Sequence, residues 1–413
     1  MFRNTMVAVL TGWAASHAPG ADVYCDSWPQ WRGPSRNGMV SGVAWPESLK
    51  EGRLELVWRK ALPPSFSGPV VVGNKVFVTE TKGREHEGAR AFDRESGEEI
   101  WRARWSDTME VASLGASMGS WIRATPAYEG GELFVAGMPD VLVCLDAETG
   151  KERWRADFHK RYGTPLPELG FVSSPLVMED RVFVQAADSL VAVERKSGKS
   201  VWRSLIRKDV GQGSYSSPDF GAVLGRRQVL VANIDAIAGV KPDTGEVLWQ
   251  RVLDSYDQGC ILAPIVYRGG ILTSTRASRT GFYPLVEKDG RLEVDDGWKN
   301  KLVAYMSSPI VTDDHAYLHL KNGRLACIAL ESGEVKWISK RSFGKYVSMI
   351  GRGDRILGLS NEGRLLLLAA DPDRFRLLDS REISESETWG YLAMAGKELY
   401  VRERDAIAVY RWE

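Results

Sequence analysis

Cysteine and histidine are scarce, at 4 and 5 among 413 residues. No spacing of a zinc site or a calcium loop occurs. His315 and His319 stand four apart on an expected strand, where a metal pair would stand two apart. No two Cys are adjacent. Net charge is absent as well, since 54 Lys+Arg meet 54 Asp+Glu. That excludes the basic excess of a nucleic-acid binder and a polybasic membrane-surface segment. Beyond the N-terminus no apolar run is long enough to cross a bilayer, so no transmembrane segment is expected. P-loop, Rossmann and Gly-x-Ser-x-Gly motifs are missing, and with them the chemistries they carry.

What the chain does have is glycine and tryptophan, 41 and 15 residues. Glycine punctuates turns, so many short strands are expected. Residues 1–21 read as an export signal: Arg3, an apolar stretch through Leu10, then small residues at Ala18, Gly20 and Ala21. Tyr24 before Cys25 fits lipoprotein processing badly, so a soluble protein of the periplasm or cell envelope is expected. Residues 22–53 form an N-terminal extension and 54–413 the folded domain.

A repeat organises that domain. Ala91 to Trp101, Cys144 to Trp154, Ala192 to Trp202, Gly239 to Trp249 and Cys327 to Trp337 share one register. In each, Trp lies four residues after a turn Gly and a small residue lies six before it. Asp93, Asp146 and Asp243 read as turn formers. Upstream, a small residue and Pro open another strand, as at Thr125-Pro126, Ser174-Pro175 and Ser217-Pro218. Each unit is thus four short antiparallel strands, A to D, at the period of a propeller blade. Blade five is degenerate, with Trp298 directly after Gly297; blade seven lacks the Trp; blade eight lacks a fourth strand. Leu54 to Arg59 can supply it, which predicts an all-β, eight-bladed β-propeller closed between its N-terminal strand and its C-terminal blade. Cys144 and Cys327 fall on opposite sides of such a ring and cannot bridge; Cys25–Cys260 is open.

At these residues the chain resembles the pyrroloquinoline-quinone-like repeat family of eight-bladed propellers. Cys144 to Trp154 matches its blade motif best, and Trp28-Pro29-Gln30-Trp31-Arg32-Gly33-Pro34 looks like the opening of its exported members. The resemblance implies one of two functions. One branch contains alcohol dehydrogenases that use PQQ with calcium, an adjacent Cys-Cys pair over the cofactor and an axial Asp; this chain has no Cys-Cys and no convincing match to that acid set. The other contains a non-catalytic envelope lipoprotein that assists outer-membrane β-barrel assembly.

The repeat tryptophans Trp58, Trp101, Trp154, Trp202, Trp249 and Trp337 are expected to dock blades, because a residue in every blade serves what every blade needs. A second set precedes the A strands: Phe66, Trp121, Arg123, Phe171, Tyr215, Tyr305, Tyr346, Trp389 and Tyr391. These gather at one axial mouth, either as a hydrophobic plug or as a platform for a ligand. The long loops 106–124 and 157–172 overhang the same mouth. The reading is a non-catalytic binding or scaffold propeller, without cofactor or metal, whose partner is an envelope protein or peptide. The alternatives are a PQQ- and calcium-dependent oxidoreductase and a carbohydrate-binding propeller that takes a polysaccharide.

Overall fold

The computed structural model describes residues 26–42, 45–111, 119–207, 214–254, 262–275 and 278–413. The expected export signal, Cys25 and Cys260 lie outside them. Eight four-stranded antiparallel sheets form the ring. Blades one to seven run 70–105, 127–157, 176–204, 219–252, 265–294, 310–338 and 347–382. Blade eight is built from Ala393–Ala395, Glu398–Glu403 and Ala406–Trp412, and Leu54–Ala61 pairs with its last strand from Leu54↔Trp412 to Ala61↔Ala406. The ring is closed as the sequence predicts. Cys144 and Cys327 are buried, free thiols.

The repeat Trp acts across the seam between blades. The indole N–H of Trp58, Trp101, Trp154 and Trp202 donates to Arg94, Ala147, Arg195 and Pro242 carbonyls of the next blade, at 2.9–3.0 Å. The ring lies on the turn glycine there: a Cβ on Gly97 would sit 2.6 Å from the Trp58 ring. Glycine is needed twice at this turn, for its positive φ of 67° and for its missing Cβ. Trp298, outside the sequence register, takes the same role, donating to Leu330 O at 2.7 Å and covering Gly333. Trp337 donates to Asp371 O at 2.8 Å. Trp249 differs, because blade five has no Thr-Gly turn to receive it. Its indole donates to Gln228 Oε1 of its own blade, and its ring packs with Ile271 and Tyr283 in the seam.

The missing Trp of blade seven has a physical reason. The turn it would cover would join the third and fourth strands of blade eight, but these are Ala406–Trp412 and Leu54–Ala61, which no turn connects. Instead Asp379 accepts from Ser48 Oγ and Leu49 N, both at 2.8 Å, so the segment before the closing strand covers this seam.

The small residue before Pro also has a purpose. Gly68 N donates to Thr125 Oγ1, Thr125 N to Ser174 Oγ and Ser174 N to Ser217 Oγ, at 2.9–3.1 Å. In five blades a third recurring bond ties the A–B turn to the C–D turn. The backbone N–H of Arg94, Ala147, Arg195, Leu330 and Ala370 donates to Asn74, Gly131, Asp180, Asp314 and Asp354. Blade four has Pro242 at this position and no N–H to give.

Asp93 and Asp146 cap their turns, accepting from Ser96 N and Thr149 N at 2.8 and 2.9 Å. Asp243 does not share that register. The residue four before its turn glycine is Lys241, which cannot accept.

Candidate functional site

Antiparallel strands put the D-to-A connections and B–C turns on one face, and the A–B and C–D turns on the other. The A strands line the axis. Their opening carbonyls point inward and are buried, so they need donors.

Those donors come from the N-terminal extension. Residues 28–40 run through the channel. Trp28 bridges to Val71 of blade one, and Pro29 O accepts from Tyr128 N of blade two at 2.7 Å. Arg36 donates to Pro175 O at 3.0 Å and Pro218 O at 2.7 Å; Arg32 donates to Pro309 O at 2.5 Å. Val40 N donates to Gly351 O of blade seven at 2.9 Å. Trp31 meets the Tyr391 ring edge-on, with 5.4 Å between centroids. Arg32 and Arg36 are 3% and 2% exposed. Asp219 lies 3.9 Å from Arg36 Nε. Burial pushes Asp219 up to about 6 and pulls Arg36 down to about 10, so both stay charged at neutral pH.

Above this segment the sequence-predicted aromatics divide. Trp121, Phe66, Trp389, Tyr346 and Tyr391 form one chain of ring contacts at 5.0–5.9 Å. Phe66 and Tyr346 are buried, while Trp121, Trp389 and Tyr391 are half-exposed. Arg123 lies over the Phe66 ring at 5.7 Å and donates to Leu169 O at 3.1 Å; burial pulls it down to about 10. Tyr215 stands in the field of Arg123 and is half-buried, its hydroxyl pushed up to about 12 by burial. Tyr305 is half-exposed, with the Lys321 ammonium 5.9 Å from its ring. Phe171 turns away from the mouth, 1% exposed against Phe158 in the seam of blades two and three. Phe158 opens a one-turn helix, Phe158–Tyr162, capped by Asp157, in the loop the sequence left irregular.

The same face carries two buried carboxyls that latch neighbouring blades. Glu87 accepts from Met138 N through both oxygens at 3.1 Å, and Asp140 accepts from Ala187 N at 2.8 Å. Burial pushes them up to about 8 and about 7. A carboxyl raised this way keeps a proton in the folded chain that the unfolded chain has lost. Its contribution therefore falls as pH rises from about 4.5 to 8. The melting temperature should drop between pH 5 and pH 8, and Glu87→Gln should make that drop smaller. An unchanged slope in thermal melts across this range would contradict the assignment.

Among the described residues the donor set of the channel does not fit a quinone with calcium. Its one raised carboxylate, Asp219, faces Arg36, and both axial guanidinium groups are held by backbone carbonyls. Among the described residues no three His, Cys, Asp or Glu side chains come together as a metal shell.

Comparison with known proteins agrees with the fold. Residues 85–339, more than half of the chain, match the family model described as outer membrane protein assembly factor BamB. The BamB protein of Shewanella oneidensis is 23% identical over 367 residues, covering 86% of this chain and 72% of that one. A polyvinylalcohol dehydrogenase of a Sphingopyxis species is 22% identical over 284 residues, covering 57% and 41%. Among solved structures, BamB from Moraxella catarrhalis superposes with TM-score 0.62 at 15% identity, covering 87% of this chain and 100% of that one. A europium-containing methanol dehydrogenase superposes with TM-score 0.66 at 12% identity, covering 94% and 98%. At such identities the superpositions speak for the fold alone. The matched repeats, the closed eight-bladed ring and the family model together place the chain in the family of the outer membrane protein assembly factor BamB.

Proposed function

We infer that this chain is a non-catalytic scaffold of the cell envelope that holds a protein partner on the face of its inter-blade loops. One observation carries the reading. The axis is filled by the chain's own residues 28–40, so what the aromatic mouth offers is an outer surface and not a reaction chamber. Trp121, Tyr215, Tyr305, Trp389 and Tyr391 there are amphipathic and half-exposed, the composition of a protein-binding patch. The assembly role in the names of its relatives supports an envelope protein as the partner.

The ring geometry weighs against a sugar platform. Phe66–Trp121 and Tyr346–Tyr391 cross at 80° and 82°. The near-parallel pair, Tyr346–Trp389 at 20°, includes the buried Tyr346. A stacking sugar needs flat, exposed faces.

The test is binding of a purified outer-membrane assembly complex from the same cell to the immobilised protein. Tyr215→Ala and Tyr305→Ala should each weaken it by about tenfold, the size of an interface hot spot, with melting temperature unchanged. Unchanged binding would refute the site. A large loss of thermal stability would make these rings a plug.

A further inference from the structure

On the face opposite the aromatic mouth, a groove of about 450 Å³ opens along the seam of blades three and four. It coincides with the blade whose turns break the repeat. Pro242 gives no N–H to the A–B turn of its blade, the bond that ties these turns in five other blades. Beside it, Lys241 stands where Asp93 and Asp146 cap their turns. A lost turn bond next to a cavity is what a functional site produces in an otherwise regular scaffold.

The groove has an apolar floor of Met178, Phe183 and Leu248. Most of its rim charges are already spent. Arg227 pairs with Glu179 at 2.8 Å, Arg181 with Asp180 at 2.7 Å, and Arg226 leans to Glu287 on blade five at 3.0 Å. Lys241, Asp243 and Glu246, all on the C–D turn, hold no ion pair among the described residues. Two exposed carboxylates against one ammonium leave the free rim acidic above an apolar floor. A long cationic side chain complements both, with its methylene stem on the floor and its head in the field of the acids.

We propose that this groove binds a lysine or arginine side chain of a partner peptide. The stem lies along Met178 and Leu248, above the buried Phe183, and the head lies between Asp243 and Glu246. The site is independent of the aromatic mouth, and its test does not involve that face.

The probe is N-acetyl-Leu-Lys-Leu-amide, titrated into the full chain and followed by the methyl resonances of Met178 and Leu248. Saturable shifts of these methyls are expected, with a norleucine peptide weaker and a glutamate peptide inert. The Asp243→Asn/Glu246→Gln double variant should bind about fivefold more weakly, the scale of two exposed charge contacts. Lys241→Glu, which removes the competing ammonium, should bind more tightly, by about two- to fivefold. Both variants change exposed side chains and should melt as the parent does. Equal binding of the norleucine or glutamate peptide, an unaffected double variant, or shifts absent from Met178 and Leu248 would each overturn the proposal.

Discussion

Trp154→Ala is expected to lower the free energy of unfolding by about 3–5 kcal/mol, the range for truncating a large core side chain. The ring is 9% exposed and lies 5.9 Å from Phe134 between blades two and three. Its loss opens a cavity where Gly198 offers no Cβ to fill it. It also frees the Arg195 carbonyl from the indole N–H, a bond of 2.9 Å. Trp202→Ala should cost less, because Trp202 is only half-buried. Equilibrium denaturation followed by far-ultraviolet circular dichroism measures both. A loss below about 1 kcal/mol for Trp154→Ala would show that the seam closes without its Trp, and the docking role would fall.

The seam tryptophans explain why so much of the ring was legible. Each blade repeats one problem, covering a glycine turn with an indole, so the solution recurs at a fixed spacing. Eight units and the closing strand follow from that spacing together with the Pro-opened strands. Where a blade meets a different problem, the spacing misleads. Trp298 docks although it directly follows Gly297, since a longer hairpin carries it to the same place. Trp249 keeps the spacing and loses the turn it would cover. Asp243 was grouped with Asp93 and Asp146 by residue type, whereas counting from the turn glycine gives Lys241.

The mouth was legible as a place and less so as a set of directions. Residues before the A strands must stand near the axis, because the chain crosses there. Nothing in the sequence tells that Phe171 turns into the seam while Trp389 stacks on Tyr346. The path of residues 28–40 was not legible either. That segment has no repeat of its own, and its partners are carbonyls of five blades and an N–H of a sixth, up to 277 residues away. One signal was available. Arg32 and Arg36 sit among Trp, Pro and Gly in a short segment, and such cations are retained where buried carbonyls converge.

Arg36→Met should therefore destabilise the ring by about 3–5 kcal/mol, as removing one member of a buried charged network does. The methionine keeps most of the stem volume but leaves Ser174, Pro175 and Pro218 carbonyls without their donor. It also leaves Asp219 without its cation. The pH dependence identifies the second part. Asp219 is already raised to about 6 by burial, with Arg36 holding it down against that. Without Arg36 it rises further, so the folded variant keeps its proton to higher pH. A folded-state pKa above the unfolded one costs stability as pH climbs toward it. The deficit of Arg36→Met should thus be larger at pH 8 than at pH 5. Asp219→Asn added to Arg36→Met should remove that difference while leaving the carbonyl deficit in place. Denaturation of the parent, both single variants and the double variant at the two pH values separates the contributions. A deficit independent of pH would mean that Arg36 holds the channel through its carbonyl bonds alone, and a deficit under about 1 kcal/mol would mean that the N-terminal segment is dispensable to the ring.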